Sequence, residues 1–400
     1  MNQIPAASRP GGGQTPAYVF DLAVLRARVA YLRAQLPPQV KLCYAVKANT
    51  FLLQALHPWV DHLEICSWGE YQICKALSLP EEKFVLSGVV KEPELVDQAV
   101  GSQRPLGCFT AESPAQLALL TQAARRHGRP LPLLLRLTSG NQFGMDEETL
   151  TQLVRACRQD PHIHLRGIQY FSGTQKFSLK KLRRELAYVD EVIQRLAQQE
   201  GYVPELLEFG PGLPVAYFEG EEFDEPAFLA EFSAMLSQLR FSGPLVLELG
   251  RSIAASCGTY LTRVVDLKRN RGEGYALVDG GIHQLTYYGQ AMAMRAPRLR
   301  LLPDRPCQEE ETWTVCGSLC TINDILVKRR PFPALAVGDV LAFENAGAYC
   351  ATEGLSLFLS RDLPQIRLRD EDGRETVVRE GMWTVPLNTP HHTKGEDHHG

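Results

Sequence analysis

Residues 206–252 of the 400-residue chain read LLEFGPGLPVAYFEGEEFDEPAFLAEFSAMLSQLRFSGPLVLELGRS. The apolar runs Leu206–Phe209 and Leu245–Leu249 each stop at a glycine, and a segment of helical composition, Pro226–Leu239, lies between them. Short continuous apolar runs are typical of strands that are buried on both faces. A strand, a helix and a second such strand predict a parallel βαβ unit.

The same alternation extends upstream to about residue 40. Six further apolar runs of strand length precede this unit: Leu42–Val46, Leu63–Cys66, Phe84–Leu86, Gly107–Thr110, Leu131–Leu137 and Leu165–Phe171. Helical segments such as Ser113–Arg126 and Leu179–Gln199 separate most of them. Eight strands with intervening helices predict a TIM-like α/β barrel over residues 41–255.

The pattern changes after about residue 256. Runs rich in β-branched residues alternate with turn signals, and helical periodicity is nearly absent, so residues 256–388 are predicted to form a mostly antiparallel β domain. Residues 17–40 are interpreted as a strand that joins this domain, followed by a connection. Residues 1–16 are predicted to be a flexible lead-in and residues 389–400 a disordered tail, whose histidines are interpreted as solvated, so no metal site is predicted.

Composition excludes several classes of function. With 42 basic and 46 acidic residues the formal net charge is −4, which argues against a nucleic-acid-binding protein. No apolar run approaches the roughly 18 residues of a membrane helix, and the amino terminus has no secretory signal. The ten cysteines are irregularly spaced, which argues against a disulfide framework. These features together predict a cytoplasmic protein.

Chemistry is expected at the carboxyl ends of the barrel strands, where such barrels place their active sites. The first strand runs into Lys47, and a desolvated lysine amine there can act as a nucleophile toward a carbonyl. A single lysine at a strand end is more often a solvated cap. The interpretation therefore depends on the other strand ends.

Two glycine turns supply that support. Gly210 and Gly212 follow the seventh strand, and Gly250 and Arg251 follow the eighth, where barrels commonly bind a phosphate. Glu248, at the end of the eighth strand, lies where a carboxylate would face the nitrogen of a bound ring. The joint placement favours a phosphate-bearing cofactor.

Several ordered motifs make the chain resemble a known family. They are Tyr44–Asn49, Gly210–Leu213, Glu248–Arg251, Cys316–Asp324 and Ala346–Tyr349. These look like the motifs of the fold-type III pyridoxal-phosphate decarboxylases, a group that includes ornithine, arginine and diaminopimelate decarboxylases. The similarity extends from Thr15 to about residue 360.

The resemblance implies a role for each matching residue. Lys47 would hold pyridoxal 5′-phosphate covalently, and Glu248 would pair with the pyridine nitrogen. Residues that would bind the rest of the cofactor are Phe171, Thr174, Gly210, Gly212, Gly250, Arg251 and Tyr349. Cys320 matches a cysteine that reaches the active site of the neighbouring subunit, which implies a homodimer with shared active sites.

Two departures from the family pattern concern the ring and the substrate. The family usually has histidines at the positions of Gln169 and Phe171; a phenylalanine still stacks on a ring but carries no proton. The family's polyamine and diaminopimelate decarboxylases place an acidic residue after the cysteine, where this chain has Thr321. A hydroxyl does not neutralise a distal ammonium, and an unpaired charge in a closed site is costly.

The substrate interpretation therefore favours an amino-acid unit without a free distal amine. Such a unit would be acylated, citrylated or tethered to a carrier protein, as in siderophore or antibiotic biosynthesis. His283 is a further candidate for a polar contact to the substrate. The alternative is a free basic amino acid such as ornithine, lysine, arginine or diaminopimelate, with Asp324 or Glu353 binding the distal amine.

Two other functions are alternatives to decarboxylation. Amino-acid racemases that resemble the chain at Lys47 pair the pyridine nitrogen with arginine, whereas Glu248 occupies that position here. A catalytically inactive regulatory homologue would be expected to lose the lysine or the phosphate loops, and all of them are present. Decarboxylation is the function that the sequence favours.

Overall fold

The structure is a computed structural model that describes residues 15–305 and 310–390. Most of the predicted disordered tail and most of the predicted flexible lead-in lie outside these residues. The described chain divides into two compact units. One contains Leu22–Ala216 and Glu221–Cys257, and the other contains the remaining described residues, mostly those after Gly258.

The first unit is built on a closed barrel of eight parallel strands, which confirms the predicted fold class. The strands are β2 (Lys41–Ala45), β3 (His62–Ile65), β4 (Phe84–Leu86), β5 (Cys108–Ala111), β6 (Leu131–Leu137), β7 (Ile163–Phe171), β8 (Leu206–Gly210) and β9 (Leu245–Leu249). Each strand pairs with the next, and β9 closes the barrel against β2, with Glu248 opposite Cys43. Continuous burial along β8 and β9, and along β2 after its exposed first residue, explains why these strands appear as apolar runs.

A helix follows each barrel strand, and one more helix precedes the first of them, β2. They are α1 (Leu22–Gln35), α2 (Leu53–Leu56), α3 (Trp68–Ala76), α4 (Pro93–Val100), α5 (Pro114–His127), α6 (Glu147–Gln159), α7 (Leu179–Glu200), α8 (Glu225–Ser237) and α9 (Arg251–Ala254). Local sequence sets the ends of α5: the Ser113 hydroxyl accepts the backbone N–H of Gln116, and Gly128 ends the helix with a left-handed φ of 62°. None of the helices in the described residues is long and apolar enough to span a membrane.

The second unit is a nine-stranded sheet. Its strands are β1 (Ala17–Asp21), β10 (Gly258–Asn270), β11 (Glu273–Val278), β12 (Leu299–Leu302), β13 (Glu310–Cys316), β14 (Ile325–Pro333), β15 (Val340–Phe343), β16 (Gln365–Arg369) and β17 (Glu375–Arg379). A short helix, α10 (Val385–Asn388), follows them. The pairs β1–β16 and β11–β13 are parallel and the other pairs are antiparallel, so the sheet is mostly antiparallel as predicted.

Two strands of this sheet were not predicted from the sequence. Strand β14 contains three consecutive basic residues and Pro331, which weaken an apolar strand pattern. It lies at the end of the strand order and pairs only with β13, and an edge strand tolerates both charge and proline. Strand β12 has four residues, Leu299–Leu302, too few to show a clear alternation.

Candidate active site

Lys47 lies just beyond the carboxyl end of β2, in a 3₁₀ turn over Val46–Ala48. The side chain of Asn49 caps the following turn by accepting the backbone N–H of Phe51 at 3.0 Å. These two turns fix the lysine at the end of the barrel that carries the active sites of this fold. The Lys47 side chain is 40% exposed, so a ligand can reach its amine.

Three barrel strands carry a buried glutamate: Glu64 on β3, Glu208 on β8 and Glu248 on β9. The Nζ atom of Lys47 lies 2.7 Å from Oε2 of Glu64 and 3.6 Å from Oε1 of Glu248. One ammonium group therefore faces two buried carboxyl groups. The predicted pair of Lys47 and Glu248 lies together in the barrel.

The lysine affects the two neighbouring glutamates differently. Burial alone raises the pKa of Glu64, but the Lys47 ammonium and hydrogen bonds from Cys66, Lys47 and Ser87 outweigh it and leave the pKa below its usual range. For Glu248, burial and the negative charge of Glu64 raise the pKa by more than Lys47 lowers it. Glu64 is therefore the ionised partner of Lys47, and Glu248 is the group that takes up a proton more readily.

Glu208 is the third buried acid. The Nε2 atom of Gln169 donates a hydrogen bond to its Oε1 at 2.7 Å. Burial and the nearby charge of Glu248 raise the pKa of Glu208 to about 8. The hydrogen bond from Gln169 lowers this pKa, but by less. Closely spaced buried carboxyl groups do not all ionise together, so Glu208 retains its proton near neutral pH.

Cys66 and Ser87 hold the second oxygen of Glu64. The Cys66 thiol donates to Oε1 of Glu64 at 2.8 Å, and the Ser87 hydroxyl donates to the same atom at 2.6 Å. Burial raises the pKa of the Cys66 thiol, so it remains a protonated donor. The Cys66 Sγ atom is also 3.4 Å from Nζ of Lys47. The orientation of the Glu64 carboxylate is thus fixed before any ligand binds.

The turns after β7 and β8, next to these glutamates, form a concave surface that we call the cradle. Its floor is backbone without side chains at Gly210 and Gly212. Phe171 pairs in register with Gly210, and a Cβ atom added to Gly210 would lie 2.3 Å from the Phe171 ring. A Cβ atom added to Gly212 would lie 2.1 Å from the carbonyl oxygen of Gly173, and Gly212 has a φ of +61°. Only glycine fits at both positions, which leaves backbone N–H groups free of side-chain cover.

The cradle is completed by residues from the ends of β7 and β9. Arg251 is 6% exposed, and its Nε donates to Oγ1 of Thr174 at 3.4 Å. Gly250 directly precedes Arg251. Glycine backbone, a hydroxyl and a guanidinium suit a phosphate, and Lys47 and Glu248 suit an aldehyde and a ring nitrogen. The donor set therefore fits pyridoxal 5′-phosphate.

The other predicted site residues lie in the sheet unit. Cys320 is exposed and Thr321 is half-buried, on the loop between β13 and β14. Asp324, at the end of that loop, and His283 are each 2% exposed. Tyr349 has a left-handed φ of 65° in a turn where its carbonyl accepts the backbone N–H groups of two later residues.

Sequence reasoning missed Glu64, Cys66 and Glu208. A signal for both glutamates was present: Glu64, Glu208 and Glu248 each follow a leucine and precede an apolar residue inside a strand. A charged residue within a run that is buried on both faces must point toward another polar group. Three such interruptions in one barrel indicate a shared polar interior. Cys66 gave no comparable signal, since most buried cysteines only fill space.

Comparison with known proteins agrees with this geometry. The family model described as pyridoxal-dependent decarboxylase, C-terminal sheet domain, matches residues 17–347. Because the match covers most of the chain, it shows the family. It spans the lysine strand, both glycine turns and the Cys320 loop.

Three curated relatives align over nearly their full length. An L-glutamyl-[BtrI acyl-carrier protein] decarboxylase from Niallia circulans is 27% identical over 395 residues, covering 92% of each chain. A diaminopimelate decarboxylase from Vibrio cholerae is 30% identical over 372 residues, covering 87% of this chain and 86% of the relative. A 2-[(L-alanin-3-ylcarbamoyl)methyl]-2-hydroxybutanedioate decarboxylase from Staphylococcus aureus is 25% identical over 392 residues, covering 91% of this chain and 96% of the relative.

The relatives act on different substrates but share one reaction, the loss of carbon dioxide from an amino-acid unit. The site described above contains the lysine, the carboxylate and the phosphate cradle that such a reaction requires. The chain therefore belongs to the family of pyridoxal-dependent decarboxylases, and its cofactor is pyridoxal 5′-phosphate.

Proposed function

We propose that the enzyme decarboxylates an amino-acid unit whose distal nitrogen is acylated or absent, either as a small molecule or tethered to a carrier protein. The observation that carries the proposal is Thr321, directly after Cys320. Its hydroxyl accepts the backbone N–H of Asn323 at 3.3 Å, within its own loop. A neutral residue engaged in this way offers no countercharge to a distal ammonium.

Asp324 is the only carboxylate in the loop 317–324, and it holds the loop together. Its Oδ1 accepts the backbone N–H of Ile282 at 2.9 Å, and its Oδ2 accepts that of Leu319 at 2.8 Å. With 2% exposure and both oxygens engaged, Asp324 has a structural role that explains its burial. The predicted alternative in which Asp324 binds a distal amine therefore has little support.

Glu353 keeps the alternative of a free basic amino acid open. It is exposed and lines a cavity of about 420 Å³ together with apolar side chains such as Leu285 and Leu355. A carboxylate at the edge of an apolar cavity suits a diamino acid. The similarity to a diaminopimelate decarboxylase supports this second candidate, whereas the carrier-linked and citrylated substrates named for the other two relatives support the first.

The barrel residues would hold the cofactor in a defined way. Lys47 would bind it covalently, Phe171 would stack on its ring, and Thr174 and Arg251 with the glycine turns would bind its phosphate. Tyr349 would add a phosphate contact from the sheet unit. Bound pyridoxal phosphate supplies an electron-poor ring that accepts the electron pair left when carbon dioxide departs.

The buried acids Glu248 and Glu64 would determine where protons are held around that ring. Glu248 would hold a proton at the pyridine nitrogen, which keeps the ring electron-poor. Glu64 keeps the Lys47 amine in place through the 2.7 Å contact. Cys320 would deliver a proton to the carbon that loses its carboxyl group, from the neighbouring subunit. Phe171 replaces a histidine of the family pattern and supplies no proton there.

The same proposal includes a homodimer with shared active sites. Its support is a set of exposed apolar side chains in the sheet unit, of which Ile322 is 85% exposed, Leu355 63% and Leu359 50%. Apolar surface of this kind beside Cys320 suits a protein interface. We place the enzyme in the cytoplasm because the nine cysteines of the described chain are all free thiols.

Carbon dioxide release across a matched panel tests the proposed substrate class. The panel contains free ornithine, lysine, arginine, diaminopimelate and glutamate beside amide-linked amino acids, namely N-acylated ornithine, lysine and diaminopimelate and a side-chain amide of glutamate. Faster turnover of the amide-linked amino acids than of the free basic amino acids is expected. Efficient release from a free diamino acid, with every amide inert, would establish the alternative with Glu353 as the anchor.

A further inference from the structure

A cavity of about 950 Å³ opens in the sheet unit beside Cys320. Most of its wall comes from three segments: the end of β11 and the turn after it, the loop residues 317–320, and residues 359–362. Residues 15 and 16, Val265 and Trp383 complete the wall. A cavity of this size is at the upper end of the range that holds a drug-sized molecule. None of the residues assigned to the cofactor lines it.

Two buried polar groups in the cavity wall lack a partner. His283 is 2% exposed, and neither of its ring nitrogens has a hydrogen-bond partner within residues 15–305 and 310–390. The buried hydroxyl of Ser318 is likewise unpartnered in that part of the chain. An unsatisfied buried polar group is destabilising, so three such atoms beside one cavity point to a polar ligand there.

Hydrogen bonds to Asp324 connect the backbone segments that carry these two groups. The two oxygens of Asp324 tie the backbone before His283 to the loop after Ser318. Gly281 and Gly317 make room for this contact, because a Cβ atom on either would lie within 2.6 Å of the Asp324 carboxylate. Next to His283, the Gln284 side chain is held by the Tyr260 hydroxyl at 2.7 Å.

The cavity offers hydrogen-bond donors and acceptors rather than a net charge of one sign. Burial and the charge of Arg361 lower the pKa of His283 to about 4, so the ring is neutral and provides one N–H donor and one acceptor nitrogen. Arg361 donates to the carbonyl oxygen of Ser318 at 2.7 Å, and Asp362 lies beside it in the wall. Asp279 is engaged by the hydroxyl of Thr262 at 2.8 Å.

We propose that this cavity binds the acyl tail of the substrate through an amide group that hydrogen-bonds to His283 and Ser318. An amide has a donor and an acceptor in fixed positions, which matches a neutral imidazole and a hydroxyl. This inference rests on the proposed function. It assigns to His283 and Ser318 the binding of the distal part of the substrate, for which Thr321 offers no charged partner. The substrate class is an amino acid extended by a neutral, amide-containing chain.

Two substrates with the same amino acid test the proposal in the holoenzyme. One carries an amide tail and the other an alkyl tail of equal length. The wild type should favour the amide tail in kcat/KM by about 10-fold or more, as a hydrogen bond of 1.5 kcal/mol implies. His283→Phe and Ser318→Ala should reduce that preference. Val265→Ala, a change of an apolar residue in the same wall, should keep it.

A direct binding measurement separates this inference from the proposed function. Holoenzyme with ¹⁵N-labelled histidine is titrated with N,N′-dimethylsuccinamide and, as control, with dimethyl succinate, which lacks N–H groups. A saturable shift of the His283 ring signals with the diamide only is expected, and that signal is assigned by its loss in His283→Phe. Presenting the amide tail free or on a carrier protein distinguishes the two sources of the tail.

The outcomes are distinct. If amide-linked substrates are decarboxylated but His283→Phe retains the amide preference and the diamide causes no shift, the cavity assignment is wrong and the proposed function stands. If the diamide shifts the His283 signal but no amide-linked substrate releases carbon dioxide, the cavity binds amides and the proposed function is wrong.

Discussion

The Nζ atom of Lys47 lies 2.7 Å from Oε2 of Glu64, a carboxylate that β3 carries into the barrel. Glu64 is 3% exposed, and Cys66 and Ser87 hold its other oxygen. The lysine therefore sits in a fixed position with a charged partner before it meets a cofactor. A proton held between these two groups is available where the lysine reacts, without help from solvent.

Lys47→Ala should abolish cofactor attachment and carbon dioxide release together. The amine is the group at this position that forms an imine with an aldehyde, and its loss also leaves the Glu64 carboxylate without its cation. Visible absorbance of the purified protein and borohydride trapping of the cofactor report on attachment. Lys41→Ala, at the exposed start of the same strand, is the matched control. Trapping at a different lysine in the variant would contradict the assignment.

Glu248→Gln should keep the cofactor bound but slow turnover by roughly 10²–10³-fold, as the loss of one electrostatic partner typically does. The amide cannot hold a proton at the pyridine nitrogen as the carboxyl group does. Single-turnover carbon dioxide release and cofactor content are measured on the same sample. An unchanged rate, with chemistry still limiting, would remove Glu248 from this role.

The barrel was predictable because its strands are buried on both faces and therefore appear as apolar runs that end at glycine. The lysine and glycine turns followed from the position of strand ends in such a barrel. Strand β14 was not predictable, because it lies at the sheet edge, where the selection for apolar residues is relaxed. The role of Asp324 was also beyond sequence reasoning, because its partners are backbone N–H groups, one of them on Ile282, which is distant in the chain.

The free energy of unfolding of the Glu208→Gln variant should rise relative to that of the wild type as the pH increases. Burial and the nearby charge of Glu248 raise the pKa of Glu208 to about 8 in the folded protein, whereas an exposed glutamate has an ordinary pKa of 4.5. Between these values the wild type releases a proton on unfolding, so its stability falls by up to about 1.4 kcal/mol per pH unit from this group. Below pH 4.5 the protonated Glu208 contributes its full stabilisation to the folded protein, and above pH 8 that stabilisation is lost.

Urea unfolding between pH 4.5 and 8.5 measures this effect. The difference in free energy of unfolding between Glu208→Gln and wild type should grow with pH and level off above pH 8. Glutamine can still accept the hydrogen bond from Gln169, so no partner is lost. Glu82→Gln, an exposed change in the same unit, should show no such trend. A difference that stays constant with pH would mean that Glu208 is ionised in the folded protein.

Mixing two inactive variants tests the shared active site. In a dimer where Cys320 of one subunit completes the site that contains Lys47 of the other, a Lys47→Ala and Cys320→Ala heterodimer has one intact site and one doubly altered site. Random exchange at equal amounts makes half of the dimers mixed, so about a quarter of wild-type activity should return. No recovery after exchange has been verified by mass spectrometry would argue that each subunit completes its own site.

Thr321→Asp should shift preference toward a free diamino acid. The change places a carboxylate directly after Cys320, where the hydroxyl now accepts only the N–H of Asn323. A charge-assisted hydrogen bond to an ammonium contributes on the order of 1.5–3 kcal/mol, which corresponds to about 10–100-fold in relative kcat/KM. Thr321→Asn introduces a polar side chain of the same size as aspartate but without charge. Comparing the two variants therefore separates the effect of charge from the effect of shape. The measurement is kcat/KM for ornithine, lysine and diaminopimelate beside an amide-linked analogue, for the wild type and both variants.

A gain for the free diamino acids in Thr321→Asp alone establishes that residue 321 faces the distal end of the substrate. Equal specificity in all three proteins would place the distal end elsewhere, and Glu353 would then be the carboxylate to change next.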